Sequence, residues 1–121
     1  MNIRTSMRQV GSVTVVDMKG RIVLGEESAS VRDLTRDLLS KGQSKILFNL
    51  RNVDYIDSSG LGSLVGAFTS VKKQGGELKL LNLTDKVESM LQITRLYTVF
   101  EILDDEAVAV KSFENSRAAG V

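Results

Sequence analysis

Lys45-Ile-Leu-Phe-Asn-Leu50, followed by Asp54-Tyr-Ile-Asp57-Ser58-Ser59-Gly60-Leu61-Gly62, is the stretch that decides how this chain folds. The first segment is short, nearly continuous in apolar residues and bounded by polar ones, which predicts a strand buried on both faces. After the second, Leu61, Leu64, Val65, Phe68 and Val71 recur at helical spacing. Asp57, Ser58 and Ser59 therefore stand where a buried strand hands over to an amphipathic helix. Asp or Ser just before such a run is an N-cap signal. Gly60 and Gly62 are poor helix formers, so the first turn needs them for another reason, such as the close approach of a backbone or a bulky group. A helix N-terminus, with unpaired N–H groups and the positive end of the dipole, can receive an anion. A serine hydroxyl placed there can become that anion by phosphorylation. On spacing alone two readings stand. Ser58 or Ser59 accepts phosphate, or either is only a helix cap and the glycines only pack.

Working outward, residues 2–10 and 12–19 read as an antiparallel hairpin around a tight turn at Val10-Gly11-Ser12. Gly20-Arg-Ile-Val-Leu-Gly25 reads as a connection, followed by Glu26 and Glu27, acids that suit the first turn of a helix. That helix carries Val31, Leu34 and Leu38 as its apolar stripe and ends at Lys41-Gly42, cation then glycine. The serine-led helix closes in the same way at Lys72-Lys73-Gln74-Gly75-Gly76. Residues 77–83 read as a strand, and Thr84 as the N-cap of a helix carrying Val87, Met90 and Leu91. Residues 99–103 read as a last short strand, and Asp104 or Asp105 as the cap of a final helix through about Phe113. Residues 114–121 read as a flexible, frayed tail.

The expected fold is thus a single small α/β domain over residues 1–113. Its sheet is mixed, an N-terminal hairpin followed by parallel β-α units with right-handed crossovers, and the helices pack against it. Segments 45–50 and 77–83 are expected to be neighbouring parallel strands. The 20–25 and 52–59 connections then share the edge beyond the carboxyl ends of the strands, where α/β proteins keep their sites.

Composition narrows the function. At 121 residues the chain can bury about two-thirds of its surface as one domain. Sixteen Lys and Arg against fifteen Asp and Glu leave no electrostatic footprint for nucleic acid or an anionic membrane. The absence of cysteine excludes disulfides and thiol chemistry, and the absence of histidine removes the commonest general base and metal ligand. No long apolar run and no signal-peptide pattern is present, so a soluble cytoplasmic protein is expected. Asp54 and Asp57 could pair on Mg²⁺, but no third acid is evident beside them. A serine nucleophile would need a lysine or carboxylate base, and no nucleophile elbow is present. Gly60-x-Gly62 is too short for a dinucleotide fingerprint and lacks a P-loop lysine. The expectation is a protein that is not an enzyme, with no cofactor and no metal site.

Ile46-Leu-Phe-Asn-Leu-Arg-Asn-Val-Asp-Tyr-Ile-Asp-Ser-Ser-Gly-Leu-Gly62 resembles the central motif of STAS-domain anti-sigma factor antagonists. Gly75-Gly-Glu-Leu-Lys-Leu80 resembles the strand that follows it in that family. Val87-x-x-Met-Leu-x-Ile-Thr-x-Leu96 and Phe100-Glu-Ile-Leu-Asp-Asp-Glu-x-x-Ala109 resemble its C-terminal part. The resemblance implies that the unmodified protein binds an anti-sigma factor that is also a serine protein kinase, and so frees the sigma factor. The kinase, which supplies the ATP, would phosphorylate Ser58 and end the binding, and a PP2C-type phosphatase would restore it. Asp57 then neighbours the acceptor and Ser59 holds the companion position. The partner-binding residues expected are Ile22, Val23 and Leu24 of the first connection together with Asp57, Ser58, Ser59, Gly60, Leu61 and Gly62, on a monomer or weak homodimer. One departure stands out. Many members carry Asp in a Gly-x-Leu/Ile-Asp pattern, and Gly20-Arg-Ile-Val23 puts valine there. Ile22, Val23 and Leu24 either tuck under the first helix as core or leave at least one apolar side chain exposed beside Ser58. STAS domains also serve in stress-signalling assemblies, anion transporters and lipid-transport complexes. The alternative is therefore a non-catalytic STAS subunit of a larger complex, without a phospho-switch.

Overall fold

In the computed structural model, which describes residues 3–23 and 26–119, the elements follow one another as a hairpin and then alternating helices and strands. They are β1 (Arg4–Val10), β2 (Val13–Ile22), α1 (Glu26–Ser40), β3 (Lys45–Ile56), α2 (Ser58–Lys73), β4 (Glu77–Leu81) and α3 (Asp85–Thr94). A 3-10 turn (Leu96–Thr98), β5 (Ile102–Leu103) and α4 (Glu106–Ala119) complete the chain. The strands form one five-stranded sheet in the order β1-β2-β3-β4-β5, antiparallel between β1 and β2 and parallel elsewhere. Gly11, at φ 61°, supplies the positive φ that a two-residue hairpin turn requires. Lys45 pairs with Glu77 and Phe48 with Leu80, so β3 and β4 are the neighbouring parallel strands expected, β4 ending at Leu81 rather than at residue 83 because Asn82 turns to φ 56°.

Side-chain alternation sends the strand residues to two cores. Val16, Met18, Ile46, Phe48, Leu50, Leu78 and Leu80 pack against Val31 and Leu38 of α1, Leu61, Leu64, Ala67 and Val71 of α2, and Val87 and Leu91 of α3. On the opposite face Val13, Val15, Leu47 and Leu81 meet Ala109 and Phe113 of α4. The end of α2 and the starts of α3 and α4 are as the sequence predicts. Gly75 N–H donates to the Lys72 carbonyl at 3.0 Å and Gly76 N–H to the Val71 carbonyl at 2.9 Å. The Thr84 hydroxyl accepts from Val87 N–H and donates to the Val53 carbonyl at 2.8 Å, tying α3 to β3. The Asp105 carboxylate caps α4 at Val108 N–H, 2.9 Å.

Four further boundaries differ from the sequence reading, each for a physical reason. Gly20, Arg21 and Ile22 are strand rather than connection, because they find partners in Val53, Tyr55 and Ile56. β3 likewise runs on past Leu50 to Ile56. The continuation is half polar because only one of its faces is covered: Val53 and Ile56 are buried, whereas Arg51, Asn52, Asp54 and Tyr55 are exposed. Segment 99–103 contributes only Ile102 and Leu103 to the sheet. Val99 and Phe100 instead close the 3-10 turn onto the Leu96 carbonyl, and the Phe100 ring packs edge-on against Phe68 at 5.4 Å. Finally, α4 continues to Ala119, beyond the Phe113 boundary, since residues 114–119 hold no proline or glycine to stop it.

Arg8 fastens the hairpin to α4. Its guanidinium donates to both Asp17 oxygens, at 2.6 and 3.0 Å, and to both Glu106 oxygens, at 2.7 and 3.1 Å. Asn49 Nδ2 adds a bond to Asp17 at 2.7 Å. Hydrogen bonding from Arg8 holds the Asp17 and Glu106 carboxyls below their ordinary 3.8 and 4.5, while the two carboxylates raise the Arg8 guanidinium further. A depressed folded pKa stabilises the fold above the unfolded value and is lost as pH falls through the folded value. Stability is therefore expected to drop from about pH 4.5 downward, and less steeply in Arg8→Gln. The groups are partly solvated, so the difference at neutral pH should be about 1 kcal/mol, read from urea midpoints at several pH values.

Candidate functional site

β2 and β3 end side by side, and the chain leaves β3 directly into α2. Asp57 sits between them in extended backbone (φ −103°, ψ −177°). Its N–H donates to the Ile22 carbonyl at 3.2 Å, continuing the β2–β3 ladder by one bond. Its carboxylate accepts from Gly60 N–H at 2.8 Å, and its carbonyl takes the first helical bond from Leu61 N–H at 2.9 Å. Asp57 is thus the N-cap, and the two serines are the first residues of the helix itself. Ser58 is exposed and Ser59 half-buried. Their N–H groups stand in the first turn, where the helix offers no carbonyl partner and the dipole is positive.

The two glycines have different reasons. A Cβ on Gly60 would lie 2.0 Å from the Ile22 carbonyl oxygen and 2.7 Å from its carbon. The first turn of α2 therefore rests on the end of β2, and only glycine fits there. Gly62 is exposed and a Cβ on it would meet open space, so packing does not account for it. Ser63 is buried and returns its hydroxyl to the Gly60 carbonyl at 2.6 Å, which stiffens the same turn.

The residues singled out in the sequence divide accordingly. Asp57, Ser58, Ser59 and Gly62 reach the surface together at the start of α2, and Val23, half-buried, follows Ile22 beside them. Ile22 is fully buried, and Gly60 and Leu61 are buried too, so these three shape the platform from beneath. Ile22 therefore belongs to the core, as one of the two readings of that apolar segment held. Leu24 lies outside the described residues. Asp54 is exposed on β3, and among the described residues no group of three or more acids could hold a metal ion.

Sequence reasoning missed Arg21 and Tyr55. They are register partners one step before Ile22 and Ile56, and the Arg21 guanidinium lies 5.1 Å from the centre of the Tyr55 ring. With residues 20–25 read as a loop, no strand alternation was available to pair them. Among the described residues no helix is long and apolar enough to cross a membrane.

Residues 4–109 match the family model of the STAS domain. The anti-sigma-B factor antagonist of Bacillus subtilis strain 168 is 35% identical over 102 residues, covering 84% of this chain and 92% of that protein. The anti-sigma F factor antagonist of Paenibacillus polymyxa is 27% identical over 115 residues, covering 94% and 97%. A crystal structure from Thermotoga maritima, described as a candidate anti-sigma factor antagonist, superposes with a TM-score of 0.84 at 27% identity, covering 91% of this chain and 94% of that one. These are names of binding proteins, not of enzymes. The α/β architecture, the strand–Asp-Ser-Ser–helix junction and the match over nearly the whole chain agree, and the chain belongs to the STAS domain family.

Proposed function

We propose that this protein is a non-enzymatic anti-sigma factor antagonist controlled by phosphorylation of Ser58. It binds an anti-sigma factor that is also a serine kinase, frees the sigma factor, loses its partner when the kinase modifies Ser58, and is reset by a PP2C-type phosphatase. The position of Ser58 carries this reading. The serine is exposed at the start of α2, and Asp57 already caps the helix, so Ser58 has no capping task to explain it. The names of the Bacillus and Paenibacillus relatives support the antagonist role. A phosphate there would meet unpaired N–H groups and the positive end of the dipole, so the fold can carry it.

The test is to incubate the protein with ATP and each kinase-type anti-sigma factor of the same genome, then measure intact mass and map the site. One phosphate on Ser58, with loss of the complex by calorimetry, is the expected result. Stable complexes without phosphate transfer would favour the alternative, a STAS subunit with no phospho-switch.

Val23, which departs from the family pattern, enters the same test. It is half-buried next to the Ile22–Asp57 bond, so Val23→Asp puts a carboxylate beside Asp57. The variant is expected to melt cooperatively and bind the partner about tenfold more weakly, through lost apolar contact and added negative charge. Unchanged affinity in a folded variant would assign Val23 to packing alone.

A further inference from the structure

β2 and β3 run on together after β4 has ended. The last β3–β4 pair is Asn49 with Leu81, whereas β2 and β3 continue through Lys19–Asn52, Gly20–Val53, Arg21–Tyr55 and Ile22–Ile56. The projecting ribbon has one covered face: Met18, Ile22, Leu50, Val53 and Ile56 are buried in the core beneath the helices. The other face is bare. α4 rests through Ala109 and Phe113 on Val13, Val15, Leu47 and Leu81, which lie elsewhere in the sheet.

That bare face is cationic. Lys19 and Arg21 alternate with Met18 and Ile22, so they point away from the helices. Arg4 is the register partner of Lys19 on β1, and Arg51 follows Leu50 on β3. All four cations are exposed, and none is ion-paired among the described residues. Asp54 is the one acid on the projecting part of β3; Asp17 is held by Arg8, and Asp104, Asp105 and Glu106 line a cavity with Arg51, so the positive charge of the face is concentrated at Arg4, Lys19 and Arg21. The chain as a whole carries a net charge of only +1, so this clustering is local. Tyr55, 38% exposed, lies under Arg21 and holds its guanidinium in place, which lowers the entropy lost when an anion binds. The ribbon ends at the Ile22–Asp57 hydrogen bond, so the cationic face adjoins Ser58.

We infer that this face, with Arg21 stacked on Tyr55 at its centre, is a docking surface for an acidic segment of the anti-sigma partner. The inference rests on the function proposed above and gives that partner's contact surface its chemistry. It also supplies a reason for the switch to work by charge. A partner that presents carboxylates to Arg21 holds them on the same ribbon whose end carries Ser58, so a phosphate there adds like charge at the margin of the contact.

The experiment compares the parent with Lys19→Glu/Arg21→Glu, the milder Lys19→Gln/Arg21→Gln, and Lys72→Glu/Lys73→Glu at the far end of α2. Each binds the anti-sigma factor in calorimetry at about 50 and about 500 mM salt, after a check for cooperative melting. The face reversal is expected to lose about tenfold or more at low salt and to flatten the salt dependence, with the glutamine pair intermediate and the α2 pair near the parent. Equal losses in both reversal variants, or parental affinity in the folded face variants, would overturn the inference. So would binding of the parent to anionic vesicles or duplex DNA that the face reversal abolishes while partner affinity stays unchanged. If the parent binds no anti-sigma factor at all, the proposed function fails first and the inference falls with it.

Discussion

Gly60→Ala is expected to destabilise the domain by about 3 kcal/mol or more, a large share of what a domain of this size has. The added methyl would sit 2.0 Å from the Ile22 carbonyl oxygen and 2.9 Å from its Cγ2. The oxygen belongs to a central strand and accepts from Asp57, so it has no free direction in which to retreat. The clash can be relieved only by lifting the first turn of α2, which breaks the Asp57–Gly60 cap and exposes Leu61 and Leu64. Gly62→Ala is the matched comparison. It meets open space within a helix, and alanine should stabilise the fold by about 0.5–1 kcal/mol. Urea unfolding of the two variants should move the midpoint in opposite directions. Similar midpoints would show that the first turn of α2 does not press on β2.

The largest effect on binding is expected at Ser58. Phosphate adds about −1.5 to −2 charges at neutral pH. Two unit charges about 4 Å apart at an effective dielectric near 20 interact by about 4 kcal/mol, less once salt screens them. Even half of that is more than about tenfold in affinity. Ser58→Asp carries a smaller charge at the same place and should weaken the complex by about tenfold while shifting stability by less than about 1 kcal/mol. Ser58→Ala should bind like the unmodified parent and stay bound in the presence of ATP. If Ser58→Asp binds as tightly as Ser58→Ala, charge at this position does not control the partner.

What could be read in advance was whatever depends on local pattern. The apolar run at 45–50, the helical spacing after Gly60, the Thr84 cap and the glycine stops each rest on a few adjacent residues, and each lies where expected. Readings failed where a neighbour distant in sequence decides the outcome. Arg51 to Tyr55 look like loop because β3 carries an extra residue at each of two register shifts against β2, which breaks the alternation that a strand covered on one side would show. Val99 and Phe100 have strand composition, yet the left-handed Arg95 at φ 62° turns the chain before they can reach β4. The Arg8–Glu106 contact joins residues 98 positions apart, and no pattern in either segment announces it. At the site, the Asp-Ser-Ser-Gly motif marked the place. Which residue caps, which glycine is squeezed and which serine is open needed the end of β2 in position.

The anchoring of Asp57 and Gly60 to Ile22 bears on how fast such a switch can respond. The serine stands on a turn held directly against the interior strand β2, with no hinge or lid between it and the core among the described residues. On the function proposed above, a change of state at Ser58 would then have no slow rearrangement to wait for. The delay between signal and output would be set by the turnover of the modifying enzymes and by how quickly the partner diffuses away. Nor would the domain retain a memory in its shape: with the covalent mark removed, the next encounter would meet the original surface.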